Sequence, residues 1–382
     1  MEEFDTIYDF AEWCINSNVN IFTQTVNIHG EELTFDVYIV KQIGFTSQEQ
    51  INNFFELCAQ NDANTQLIIS EQLLIGKNLI FTPPYRCKGL IIFVNTLSNN
   101  GTISMTARGS SAEGNDLYLY KLNNEYQIVP KEGAFGSDSY SRRGSGANAG
   151  QPGHNGIGRQ TGGGGAGGQS HGDTTSTINY LGGGHGSSYS GGAGGGGVDI
   201  NWSGYNYTQN RPDPGTGAGS DAFATRWSSS WYNRNAGGGA GNPGGRGRYS
   251  SGYNIDFNGE DGTGGLIVIY VNHFLSFGHF SSNGSKGGNA NASGGGSGGG
   301  SINIFCINEM PDNIFSVSGG EPGTGGEAAG AKGGDGTFSI DIIPEIKNNF
   351  FSGKLLRFNS DIYRNVNVND TLFDVNQFFG EL

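Results

Sequence analysis

The side chains best equipped to grip another molecule are grouped in one stretch of the chain. Trp202, Tyr205 and Tyr207 stand in a short insert rich in Asn and Ser. Trp227, Trp231, Tyr232 and Arg234 stand in a second insert that begins at Phe223, and Tyr249 follows Arg246 and Arg248. Three of the four Trp in the chain lie between residues 202 and 231. Trp and Tyr offer large flat apolar faces at small entropic cost, suited to stacking on sugar rings. Arg adds a planar fork of donors for carboxylate or phosphate. Set among Asn, Ser and Thr, such residues read as a recognition surface carried on loops. The competing role is a local core in a region where neighbours lack side chains. These eight residues are the candidate ligand contacts.

Other chemistry is sparse. His154, His171 and His185 are 17 and 14 residues apart, which matches no metal-binding spacing. There is no nucleophile elbow with plausible partners, no phosphate-binding Walker loop and no paired-His zinc helix. Glu260 and Asp261 are adjacent carboxylates, but neighbours on an extended chain point to opposite faces and cannot easily flank one glycosidic bond. A turn-capping role suits them better. The chain is therefore expected to be no enzyme and to need no cofactor or metal.

The elements that would hold the aromatic inserts are unusual. Of 382 residues 69 are Gly, and 60 of those fall between residues 133 and 336. The net charge of −14 argues against nucleic acid as a partner. No apolar run is long enough to span a membrane, and the first residues lack the basic and apolar segments of a secretory signal. Cys14, Cys58, Cys87 and Cys306 form no close pair and read as free buried thiols of a protein made in a reducing cytoplasm.

The expected class is mainly β, in three parts. Residues 1–132 read as a small α+β attachment domain. Apolar spacing predicts a helix over 3–15, and alternation predicts a hairpin over 20–39 turning at Gly30. Ser47 is placed to cap a second helix, and short strands are expected over 66–69 and 73–81. Residues 133–336 form the glycine-rich part, and 337–382 a closing set of short strands. One unit recurs: Gly, an apolar strand, a turn, a shorter strand, then Gly. It appears at Gly89–Val94 with Thr102–Thr106, at Gly265–Val271 with Phe277–Phe280, and at Gly300–Cys306 with Ile314–Val317. A fourth copy begins at Gly336. Gly runs such as 162–165, 194–197 and 298–300 separate these units and the aromatic inserts. A flexible linker would not carry such punctuation. Extended strands without Cβ atoms pack closely and bond sideways through their main chains, so ordered polyglycine II-like strands in a sandwich or solenoid are expected.

Glycine-rich runs alternating with aromatic, polar inserts over about residues 133–336 resemble the tail-fibre tip adhesins of T-even-like bacteriophages. The resemblance implies a sandwich of polyglycine II strands that displays loops against the host surface. It implies a virion protein assembled in the host cytoplasm and present as a homo-oligomer; residues 1–132, outside the resemblance, are expected to join it to other tail proteins. The ligand would be a host-surface glycan or protein. Two alternatives stand beside it: a purely architectural capsid or tail component, and a polysaccharide-degrading β-solenoid using Glu260 or Asp261.

Overall fold

Near-continuous apolar runs such as Leu90–Val94 and Leu266–Val271 suit strands buried on both faces, as parallel sheets are. The computed structural model describes all residues except 18, 139, 144–145, 160–161, 173–176, 181, 201–206, 209–216, 225–234, 250–251, 254, 326–329, 345, 347–350, 352–365, 369–370 and 374–382. The chain is mainly β, with two α-helices among the described residues. Its largest sheet has eight strands in the order Glu3–Phe4, Ile21–Ile28, Glu31–Phe45, Thr65–Ile75, Leu90–Asn99, Leu266–Ser276, Ser301–Cys306 and Thr337–Ile342. All neighbours are parallel except the hairpin Ile21–Ile28/Glu31–Phe45. This one sheet takes strands from all three parts distinguished in the sequence.

The four copies of the repeated unit stack in register. Leu90, Ile267, Ile302 and Phe338 occupy equivalent positions on successive strands. The shorter strands pair likewise in a second parallel sheet, where Phe280 lies between Ile103 and Phe315. Alternate residues of the long strands feed two cores. One contains Ile91, Phe93, Val268, Tyr270 and Phe305 and is covered by the Ile7–Cys14 helix and the Leu117–Leu122/Glu125–Val129 hairpin. The other contains Ile92, Val94, Ile267, Ile269 and Ile304 and is covered by the Gln48–Phe55 helix and the second sheet. All four Cys are buried and free. Burial pushes the Cys58 thiol up to about 11 and the Cys87 thiol up to about 12.

Two local expectations are corrected. The first helix begins at Ile7, because Glu3–Phe4 pairs as a strand with Asn27–Ile28 and Thr6 then closes a capping box with Asp9. Gln66–Ile69 and Leu73–Phe81 are not two strands. Thr65–Ile75 runs unbroken because it pairs along its length with both neighbours, and Ile80–Phe81 belongs to the second sheet. Ser47 caps the second helix as expected, with Gln50 completing the box. Of the closing strands expected over 337–382, Thr337–Ile342 joins the main sheet, and residues 352–365 lie outside the described residues.

The glycine-rich segments bond to one another through their main chains in a strict rotation. The amides of Gly163, Ala166 and Gln169 donate to the carbonyls of Gly299, Gly296 and Ser293. Those of Gly164 and Gly167 donate to His154 and Gln151, and that of Gly165 to Gly184. The same rule holds for the segment 294–300. Gly294, Ser297 and Gly300 donate to Gly288, Ser285 and Ser282, whereas Gly295 and Gly298 donate to Gly195 and Gly192, and Gly296 and Gly299 to Ala331 and Gly334. Every third residue thus faces the same neighbour. The approach is too close for side chains: a Cβ on Gly164, Gly183 or Gly296 would strike the carbonyl of Phe135, Gly165 or Gly320.

One charged side chain fastens this region to the main sheet. Phe93, Tyr270 and Phe305 stack on adjacent strands, with ring centroids 4.1 Å and 4.7 Å apart. Arg159, in a glycine-rich turn, lies 5.4 Å from the Phe305 ring and ends the stack. Its guanidinium pairs with Asp341 and donates to Ser339 Oγ at 2.7 Å and Gln127 Oε1 at 3.0 Å. Removing one partner of a buried pair strands the other, and this pair is still partly wetted. Arg159→Ala is expected to cost about 2 kcal/mol, with Arg159→Lys recovering only part because a point charge cannot fork. Urea unfolding of the three proteins checks this.

Candidate binding surface at the ends of the glycine-rich segments

Three glycine-rich runs give way to short strands that lie side by side. Residues 162–168 lead into Ser170–Gly172, 191–197 into Val198–Ile200 and 217–222 into Phe223–Ala224. Ser170–Gly172 is parallel to Val198–Ile200, which is parallel to Phe223–Ala224. The three runs therefore deliver the chain in the same direction and at the same level. Gly146–Asn148 pairs antiparallel on the outer side of this set. A further small sheet joins Tyr140–Arg143, Thr177–Tyr180 and Tyr207–Thr208. A third joins Asn235–Ala236, Arg248–Tyr249 and Gly252–Tyr253. Glycine-rich segments form the base, and short strands carry the chain on into the inserts.

Of the eight candidate contacts, two fall on described backbone. Tyr249 is half-buried and sits opposite Asn235 and Gly252 in its small sheet. Tyr207 pairs with Ile178. Trp202, Tyr205, Trp227, Trp231, Tyr232 and Arg234 lie outside the described residues. In sequence, Trp202 comes two residues after the Val198–Ile200 strand, and Trp227 comes three residues after Phe223–Ala224.

The described residues nearby show how the base of this surface is held. The Arg248 guanidinium stacks over Phe223, 5.3 Å from the ring centroid. The Arg246 amide donates to Asp221 Oδ1 at 2.7 Å, and the Gly247 amide to Asn258 Oδ1 at 2.8 Å. Ala222, Ala224, Ala236 and Ala292 form a small buried cluster beneath. Sequence reasoning passed over Arg248 as a contact, although its place beside Tyr249 is the signal that could have found it.

The other singled-out residues have main-chain duties. Asp261 accepts the Gly244 amide, and Glu260 accepts the Lys286 amide at 2.9 Å, so both carboxylates tie segments distant in sequence together rather than capping a turn. His185 Nδ1 accepts the Gly136 amide at 2.9 Å and its ring meets Phe135 edge-on. Among the described residues no three His, Cys, Asp or Glu side chains gather as metal ligands would. No described helix is long and apolar enough to cross a membrane.

Comparison with protein-family models, with curated proteins and with solved structures found no match to this chain.

Proposed function

We propose that the chain is a virion structural protein, a bacteriophage tail-fibre or baseplate receptor-binding protein that adsorbs to the host surface through the inserts between residues 200 and 255. The glycine-rich segments are read as polyglycine II-like strands. The supporting observation is the three-residue rotation of their amide donors, which suits a helix of three residues per turn. The stacked repeats are read as turns of a solenoid that carries this base. The observation that carries the functional reading is the side-by-side handover of three glycine-rich runs into short strands, two of which lead in sequence into the Trp- and Tyr-rich inserts.

Charge supports the same reading and points to an anionic ligand. From Tyr140 to Tyr253 there are eight Arg and no Lys against four Asp and no Glu, a net of +4, which leaves −18 for the rest of a chain whose total is −14. An arginine-rich region on an acidic body, even with its Arg159 already paired to Asp341, attracts carboxylate or phosphate groups and turns the body away from them. Residues 1–132 are left to join other tail proteins, and several copies acting together would strengthen weak single contacts.

Replacing Trp227 and Trp231 together by Ala tests the assignment. Aromatic anchors carry about 2 kcal/mol each, so binding of the purified full chain to susceptible bacterial cells is expected to fall by roughly three orders of magnitude. Raising the salt concentration is expected to weaken adsorption as well. The unfolding midpoint is expected to stay in place. Adsorption unchanged by the double substitution would remove these residues from the surface. A chain that adsorbs to no bacterial cell would favour a purely architectural role.

A further inference from the structure

Lys88, Asn115, Glu31 and Tyr189 meet at the junction between the main sheet and the glycine-rich region. Glu31 opens a long strand of the sheet, Lys88 precedes the Leu90–Asn99 strand, and Asn115 precedes the Leu117–Leu122 strand. Tyr189 is fully buried and comes from the segment that bridges to Gly265 through Ser190. Lys88 Nζ donates to Asn115 Oδ1 at 3.4 Å and lies 5.0 Å from the centre of the Tyr189 ring. Asn115 Nδ2 donates to Glu31 Oε2 at 2.7 Å. The Tyr189 hydroxyl donates to Asn115 Oδ1 at 3.0 Å. Ser188 Oγ holds the Asn115 main-chain amide at 2.9 Å. An amine, a carboxylate and an oxyanion donor thus all contact one carboxamide, that of Asn115.

We propose that Lys88 and Asn115 become joined by an intramolecular amide bond, with Glu31 carrying the proton and Tyr189 steadying the oxygen. The neutral Lys88 amine attacks Asn115 Cγ, and the new C–N bond pushes electrons onto Oδ1, where the Tyr189 hydroxyl already donates. Glu31, whose Oε2 already accepts from Nδ2, carries the proton released from Nζ across to Nδ2 as the amine closes on Cγ. The Cγ–Nδ2 bond then breaks and ammonia leaves. The Lys88 side chain ends as a secondary amide, Glu31 returns to its starting form, and no oxidant or energy source is consumed. Burial of Lys88 lowers its affinity for a proton, against the opposing pull of Glu31 and Asp62, and so favours the nucleophilic form. Asp62 is committed to the Ser111 hydroxyl, which leaves Glu31 as the carboxylate in contact with the carboxamide.

Such a bond would lock the loop that follows the second sheet to the entry of a central strand, beside the foot of the glycine-rich region. It does not depend on what the inserts bind. Mass spectrometry of the intact purified chain is the test. The expected mass is lower than that of the sequence by one ammonia, and digestion is expected to release a branched peptide containing both Lys88 and Asn115. Lys88→Ala and Asn115→Ala are expected to abolish the branched peptide. Glu31→Gln keeps the shape of the side chain and is expected to fold with the bond unformed. Asn-Gly pairs, as at Asn100-Gly101 and Asn283-Gly284, also lose ammonia on forming a cyclic imide. A mass deficit that survives Lys88→Ala, or a chain of full sequence mass after prolonged incubation, would overturn the proposal and leave a hydrogen-bonded network only.

Discussion

Gly298→Val is expected to abolish cooperative folding or to bring the protein to its edge. Gly298 donates to the Gly192 carbonyl at 2.8 Å and accepts from the Gly264 amide at 3.1 Å. On its remaining side an added Cβ would strike the Gly163 carbonyl. All three neighbours are main chain and cannot swing aside as a flexible side chain would. Overpacking costs about 1–3 kcal/mol, and each stranded amide or carbonyl roughly 1–3 kcal/mol more. A total of about 5 kcal/mol is comparable to the whole stability of many domains. Gly44→Ala is the matched control: its Cβ would meet Leu74 Cδ2 at 3.8 Å, an ordinary contact. It is expected to shift stability by less than about 1 kcal/mol, upward where the unfolded chain is stiffened. Urea unfolding measures both. In the unaltered protein the amides of 163–169 and 294–300 are expected to exchange slowly with solvent. A Gly298→Val protein as stable as its parent, or fast exchange along those segments, would mean that the glycine-rich region carries no load.

The strands were largely legible because their cause is local. The apolar runs after Gly89, Gly265, Gly300 and Gly336 could be read as one recurring unit, and their in-register stacking is what that repetition encodes. The caps at Thr6 and Ser47 follow from side chains a few residues away, yet only the second was read, since apolar spacing carried the first helix back over Glu3–Phe4. The Leu117–Leu122/Glu125–Val129 hairpin went unread, although Asn123 and Asn124 take the positive φ values that two-residue hairpin turns require and Asn tolerates. Arg159 could not have been found. Its partners Gln127, Phe305, Ser339 and Asp341 come together only through tertiary packing, and a lone Arg among glycines signals nothing by itself. The glycine rotation was legible as composition but not as geometry, because Gly leaves no side-chain pattern to say which segment neighbours which.

The same lack of side chains explains how labour is divided in the molecule. Hydrophobic burial grows with apolar area, and glycine-rich strands have little to contribute. Their order rests on main-chain bonds, each worth about 1 kcal/mol net and costly to leave unmade. Such a lattice is intolerant of insertion inside it and tolerant at its ends, where segments exit into short strands. The main sheet supplies what the lattice lacks. It gives two apolar cores, and its strands Leu266–Ser276, Ser301–Cys306 and Thr337–Ile342 directly follow glycine-rich segments. Anchoring each run to a buried strand limits the entropy that glycine would otherwise keep.

Tyr270→Ala is expected to show whether that coupling extends through the whole chain. Tyr270 is fully buried, stacked between Phe93 and Phe305, with Tyr8 edge-on 6.0 Å away. Its hydroxyl donates to the Leu119 carbonyl at 2.7 Å. One ring thus touches the first helix, a central strand of the amino-terminal part, the covering hairpin and the strand that follows a glycine-rich run. Loss of a buried aromatic costs about 3–5 kcal/mol, and the orphaned Leu119 carbonyl adds roughly 1–3 kcal/mol. Tyr270→Phe removes only the hydroxyl and is expected to cost about 1–2 kcal/mol. Because the contacts span residues from 8 to 305, the Ala variant is expected to unfold in a single transition at lower urea, with fluorescence and far-ultraviolet circular dichroism moving together. Two separated transitions, with only one displaced, would mean that the amino-terminal part and the glycine-rich part fold as independent units. The shared sheet would then join two stabilities rather than make one.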